Sequence, residues 1–134
     1  MTVAVCIEAP TRFARYTVYN GAAIPKGTLC ILSAAGVNFA HPSISITTQS
    51  TPVAGIAYSE KVAADGSTEL GFALDGTWDI VCNGVCTSAG QLVTISGADT
   101  FGNGDSVNAA LGAKLGYALE PATHGTATRV RVDV

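Results

Sequence analysis

The last eight residues, ATRVRVDV (Ala127 to Val134), decide how the rest of the chain is read. Val130, Val132 and Val134 fall on one side of an extended chain and Arg129, Arg131 and Asp133 on the other, because successive side chains of a strand point to opposite faces. A strand with one buried face is the consequence. The same period of two recurs upstream while amphipathic helical spacing is almost missing, so the chain reads as all-β. Further strands are predicted at Tyr16 to Tyr19, Thr28 to Ser33, Val53 to Glu60, Ser67 to Leu74, Trp78 to Cys82, Gln91 to Ser96 and Lys114 to Glu120.

Turn chemistry separates these segments: Asn20-Gly21, Pro25-Lys26-Gly27, Asp65-Gly66, Asp75-Gly76, Asn83-Gly84 and Ala89-Gly90. Asn-Gly and Asp-Gly supply the positive φ values that tight hairpins need, and many short antiparallel strands joined this way imply a sandwich or a small barrel. Two stretches fall outside the pattern. AHPSISITTQSTP (40–52) is polar and bracketed by prolines, which suits an exposed loop or a weak edge strand. FGNGDSVNAALGAKL (101–115) opens on a glycine-rich turn, and Asp105 or Ser106 offers an N-cap for one or two helical turns near 105–115.

A gapless internal match is also present. GAAIPKGTLCILS (21–33) aligns with GVCTSAGQLVTIS (84–96), sharing G-x5-G-x-L-x3-S, and each is followed by a Gly-x-Ala step, Gly55-Ile56-Ala57 and Gly116-Tyr117-Ala118. Two related β-units, about 21–57 and 84–119, would produce this match. Turn-plus-strand grammar recurring in one chain would also produce it.

With 134 residues the chain holds one domain, since domains most often run to about 100 to 150 residues. Charged residues make up 13% against about 25% in an average soluble domain, and 48% of residues are hydrophobic, which excludes intrinsic disorder. Seven basic and ten acidic residues leave a net charge of -3 with no block of like charge. The clustered Lys and Arg of a nucleic-acid footprint are absent. So little charge points to surface covered by a partner, the alternative being an uncharged surface solvated by Ser, Thr and backbone groups. The first residues, MTVAVCIEAPTRFAR, lack the basic start and long apolar run of a signal peptide. Gly, Thr, Ser or Asp interrupts every hydrophobic run well before the 18 residues a membrane helix needs. A protein made and kept soluble in a cytoplasm is expected. Residues 1–14 then form either an N-terminal arm or a first strand, ahead of a single β domain over 15–134.

Cys6, Cys30, Cys82 and Cys86 could pair in three ways. The C-x3-C spacing of the last two surrounds a turn dipeptide, and neither His41 nor His124 is near it, unlike a zinc knuckle. Buried thiols packing as small hydrophobes are the reading a reducing cytoplasm favours. Catalysis needs a nucleophile or base with a partner to orient it, and the sequence offers few. His41 sits in the 40–52 loop and His124 in a Thr-His-Gly turn. The nucleophile elbow, the zinc-protease helix motif, the P-loop and the dinucleotide fingerprint are all missing. An enzyme is not expected, and neither is a cofactor or a metal. A sugar-binding β-sandwich using Trp78 and Tyr58 is the binding-module alternative, and it requires an exposed Trp78.

The order of motifs resembles that of the small capsid cement, or head-decoration, proteins of tailed bacteriophages, over about residues 14–134. The resemblance lies in YNGAAIPKG (19–27) leading to Leu32-Ser33, PVAGIA (52–57), LDGTWD (74–79), AGQLV (89–93), and GYALEPA (116–122) before RVRV (129–132). It implies a compact β-barrel or β-tulip-like domain on the outside of an icosahedral head, commonly a homotrimer, bound to the major capsid protein without catalytic residues or cofactor. It places the protein in the virion, assembled in the host cytoplasm. Another virion β-domain, from a tail or fibre, shares the same composition. The four cysteines and the 40–52 stretch depart from the family pattern. Low charge fits a capsid-facing surface, because interface cores are depleted in charge. The segment from Thr2 to Ile7 suits an arm that adds a strand to a capsid subunit. Exposure logic names Val3 and Val5 of that segment, with His41 and Ile44 of the loop, as capsid or subunit interface positions.

Overall fold

The computed structural model describes residues 3–18, 23–33, 39–42, 53–66, 68–83, 88–95, 100–103 and 114–134. The fold is all-β. In chain order the strands are β1 (Val5–Glu8), β2 (Phe13–Val18), β3 (Leu29–Ser33), β4 (Phe39–Pro42), β5 (Val53–Ala57) and β6 (Glu69–Ala73), then β7 (Asp75–Cys82), β8 (Leu92–Ile95), β9 (Thr100–Asn103), β10 (Lys114–Ala118) and β11 (Ala127–Asp133). No helix occurs among the described residues; the helical turn expected near 105–115 lies outside them, save that Lys114 and Leu115 begin β10.

β2-β4-β3-β5-β6 close into a barrel, and β1-β7-β11-β10-β8-β9 form a six-stranded sheet in which β7 also pairs with β9. The second assembly without β1 is therefore a circuit β7-β9-β8-β10-β11, the same order as β2-β4-β3-β5-β6 with each strand moved five places along the chain. The agreement extends to register. In both circuits the first and third strands are parallel, Thr17 opposite Phe39 and Val81 opposite Thr100. Cys30 faces Gly55 and Pro42, as Val93 faces Gly116 and Asn103. Arg15 faces Gly71, as Asp79 faces Arg129. Even the irregularity between the second and fourth strands recurs. The repeated pattern thus runs over 13–73 and 75–133, well beyond the segments that align in sequence.

The Gly-x-Ala step has a physical cause in this pairing. At Gly55 a Cβ would stand 2.6 Å from the Ala73 carbonyl oxygen, and at Gly116 it would overlap the carbonyl oxygen of Arg131, the counterpart of Ala73. Ala57 and Ala118, two residues on, are fully buried.

One interior cluster, with Val18, Ile24, Cys30, Leu70 and Phe72, fills the first barrel. The larger cluster draws Leu29, Val53 and Ile56 from the first circuit and Trp78, Ile80, Val93, Leu115, Val130 and Val132 from the second. The circuits share that core and cannot be separated without opening it. The C-terminal strand alternates without a break, Thr128, Val130 and Val132 buried and the residues between them exposed.

Three local expectations change. Asp75-Gly76 is not a hairpin turn: only Leu74 separates β6 from β7, which belong to different circuits, and the pair opens β7. Gly76 has φ +99°, and a Cβ there would stand 2.8 Å from the Glu8 carbonyl oxygen, so both backbone conformation and space call for glycine. Of the 40–52 stretch, expected as an exposed loop or a weak edge strand, residues 40–42 belong to β4, inside the first barrel between β2 and β3, while 43–52 lie outside the described residues. Thr100–Asn103 is a strand where a glycine-rich turn was expected, held between β7 and β8 with Phe101 fully buried.

Candidate interaction surface

Cross-strand register arranges the outer face of the second circuit in rows. Val5, Asp79 and Arg129 stand opposite one another on β1, β7 and β11, and Leu119, whose amide donates to the Arg129 carbonyl at 2.9 Å, extends the row. Arg131, Tyr117 and Leu92 form a neighbouring row. Three of the charged groups here are used within the chain: Arg129 Nε lies 3.3 Å from Asp79 Oδ1, and the Arg129 amide donates to Glu120 Oε1 at 3.0 Å. Apolar area is left over. Val5 is 54% exposed, Ile7 41%, Tyr117 40% and Leu119 40%.

At one end of this face Asp75 ties the N-terminal segment to the sheet. Its carboxylate accepts from the Thr11 amide at 2.7 Å, the Thr11 hydroxyl at 2.6 Å and the Arg12 amide at 3.0 Å. The Thr11 hydroxyl, then the backbone donors and the Arg12 guanidinium, hold the Asp75 carboxyl below its ordinary range. Arg12 continues the network to Asp133 at 2.9 Å, and Lys114 reaches Asp133 at 3.6 Å. A shallow cleft of about 590 Å³ runs past these groups and Tyr117.

A second groove, about 430 Å³, lies over β2 and β6 and is lined by Phe13, Arg15, Tyr58, Glu60 and Glu69. The Phe13 and Tyr58 rings meet edge to face at 5.1 Å, and Lys26 Nζ lies 4.8 Å from the Tyr58 ring centre. Phe13 remains 50% exposed.

The structure places three of the four interface positions named from sequence. Val5 is exposed on β1, whereas Val3 is half-buried beside Gly27. His41 lies in β4 opposite Ile31, on a barrel strand and not in a loop. Ile44 lies outside the described residues. Of the two readings of the N-terminus, the structure has a strand: β1 is antiparallel to β7, and the Ala4 amide donates to the Gly27 carbonyl at 2.9 Å. The exposed Tyr117 was legible in principle, because Gly116 and Ala118 on either side are the small, inward positions of its strand.

Trp78 is 1% exposed, and its indole nitrogen donates to the Asp75 carbonyl at 3.1 Å. A buried indole presents no face for a sugar to stack on. Cys30 and Cys82 are fully buried, and Cys6 is half-buried with burial raising its thiol pKa. Cys86 lies outside the described residues. Among the described residues no group of three His, Cys, Asp or Glu side chains could hold a metal ion, and no helix is long and apolar enough to cross a membrane. Lys61, unmarked in the sequence reading, is 1% exposed; its ammonium donates to the Val62 carbonyl at 3.1 Å and to Asp65 at 3.4 Å.

No protein-family model matches this chain, and no curated protein matches it.

Proposed function

We propose that this protein is a structural component of a tailed-phage head, a decoration or cement protein that binds the outer surface of the capsid lattice. Its partners in this reading are the major capsid protein and two further copies of itself, with no cofactor, nucleic acid, membrane or catalysis involved. It resides on the capsid exterior after assembly in the host cytoplasm. The observation that carries the proposal is the outer face of β1, β7, β11 and β10. There Arg129 pairs with Asp79 within the chain, and Val5, Ile7, Tyr117 and Leu119 leave apolar area uncovered. Such a face suits many shallow, repeated contacts, which become collectively strong when copies sit on a symmetric lattice. The serial order of motifs, which resembles that of cement proteins, supports a capsid as that lattice.

The test is a pair of substitutions on this face, Tyr117→Arg and Leu119→Asp, in protein added to mature shells that lack it. Both positions are exposed, so folding should survive. Affinity should fall about tenfold or more if they lie at an anchor of the interface. Unchanged affinity would move the contact elsewhere on the molecule. The sugar-binding alternative loses its main support with the burial of Trp78.

A further inference from the structure

We infer that the groove over β2 and β6 is a binding site for a neutral saccharide, with one face of a pyranose ring stacked on Phe13 and its hydroxyls held by Arg15, Glu60 and Glu69. This is a separate binding activity on the first barrel, and it does not depend on the capsid reading.

The groove lies where one side chain is missing from a row that the other circuit fills. In the second circuit Arg129 is opposite Asp79, and its carbonyl accepts from the Leu119 amide. The Arg129 side chain reaches across to Asp79 at 3.3 Å. The first circuit repeats this backbone: Gly71 is opposite Arg15, and the Gly71 carbonyl accepts from the Tyr58 amide at 3.1 Å. Gly71 has no side chain to span that gap, and no atom of the described residues lies within 4 Å of a Cβ built on it. Nor does its backbone have the positive φ of Gly55 or Gly76. Neither conformation nor crowding calls for glycine here, and what the missing side chain produces is a concavity. Its floor is on β6, between β2 and the end of β5, on the far side of β2 from β4. The volume of about 430 Å³ falls in the range of small-molecule sites.

The walls supply both halves of saccharide chemistry. A pyranose ring is apolar on the faces where its axial C–H bonds point and polar around its rim. Phe13 is the platform: it is 50% exposed, and its edge-to-face contact with Tyr58 at 5.1 Å orients the ring before any ligand arrives. Arg15, 72% exposed, can donate to hydroxyl oxygens, and the exposed carboxylates of Glu60 and Glu69 can accept from hydroxyl protons.

Charge decides between a neutral and an ionic ligand. Arg15 lies 3.6 Å from Glu69, and Lys26 stands over the Tyr58 ring on the same groove that Glu60 lines. Two cations and two carboxylates surround the groove, so neither an anion nor a cation gains from the local field. A neutral polyol uses both kinds of group without upsetting that balance. The stacking face that the buried Trp78 does not offer is thus offered by Phe13.

NMR titration of the full chain with cellotriose and with chitotriose tests this, with sorbitol as the open-chain polyol that has no ring face. At least one trisaccharide should give saturable shifts centred on Phe13, Arg15, Tyr58 and Gly71 at millimolar concentration, and sorbitol should give none. Phe13→Ala removes the platform and Gly71→Val fills the floor, and each should weaken binding about tenfold or more. Both positions are open to solvent, and urea unfolding checks that each variant is folded. Affinity should be the same at low and high salt, because no net charge is being screened. No saturable shift at these residues with either trisaccharide, an equal response to sorbitol, or wild-type affinity in folded Gly71→Val would overturn the inference.

Discussion

At the scale of single residues, Asp75 and the two glycines of the Gly-x-Ala steps do most to fix the fold. Asp75 receives three hydrogen bonds from Thr11 and Arg12, so Asp75→Asn should destabilise the protein by about 1–2 kcal/mol in urea unfolding. Its pKa is lowered in the folded state from an ordinary 3.8. The stabilisation from the ionised carboxylate is therefore fully present above that value and lost as the pH falls through the lowered one. Wild-type stability should decline on acidification below about pH 4, and the Asp75→Asn variant should show a shallower decline. Gly55→Ala and Gly116→Ala should each cost about 3 kcal/mol, because the added carbon meets a backbone carbonyl that cannot swing aside. Gly71→Ala is the control, with open space around it. The sequence made both steps visible as a repeated pattern, but the carbonyls that forbid a side chain come from Ala73 and Arg131, 18 and 15 residues further on. That reason could not be read locally. Asp75-Gly76 misled for a related cause: Asp-Gly is a hairpin signal, yet here the glycine opens β7 and a distant Glu8 carbonyl occupies the space of a side chain.

At the scale of elements, strands with clean alternation or a β-branched core were legible, and those held by context were not. Residues 127–134 alternate by themselves, and β3, β5, β6, β7, β8 and β10 fall within or across the segments expected. β4 (FAHP) and β9 (TFGN) carry little β-propensity and are the same element of the two circuits, each inserted between a parallel and an antiparallel neighbour. Tertiary pairing overrides local preference there. β1 stood as one of two readings because VCIE fits an arm and a strand equally well. Its pairing gives a test: Val5→Pro removes an amide on the β7 side and should lower stability by about 2 kcal/mol. Since Cys6 lies opposite Trp78, the variant should also shift Trp78 emission to the red. Unaltered emission and stability would mean that β1 contributes little to the sheet.

At the scale of the whole molecule, two circuits of identical order and register share the larger core cluster, and β1 extends the sheet of the second. The all-β class was legible from turn spacing and alternation. The extent of the internal repetition was not, because side chains at equivalent positions differ, as Thr128 does from Leu70 and Trp78 from Ala14, while backbone pairing is retained. Tyr117 and Leu119 were not singled out from sequence, although the small buried Gly116 and Ala118 on either side made the exposure of Tyr117 readable in principle. Few charges, an internal Arg129–Asp79 pair and uncovered apolar side chains on one broad face support the proposal that other protein covers it. The central claim is that this other protein is a phage capsid lattice. The most direct measurement is co-sedimentation of the purified protein with mature shells that lack it, read as copies bound per shell. The account predicts saturation at three copies for each local threefold site of the lattice. No saturable binding by correctly folded protein, or saturation at only a few copies per particle as a tail or fibre component would give, would contradict it.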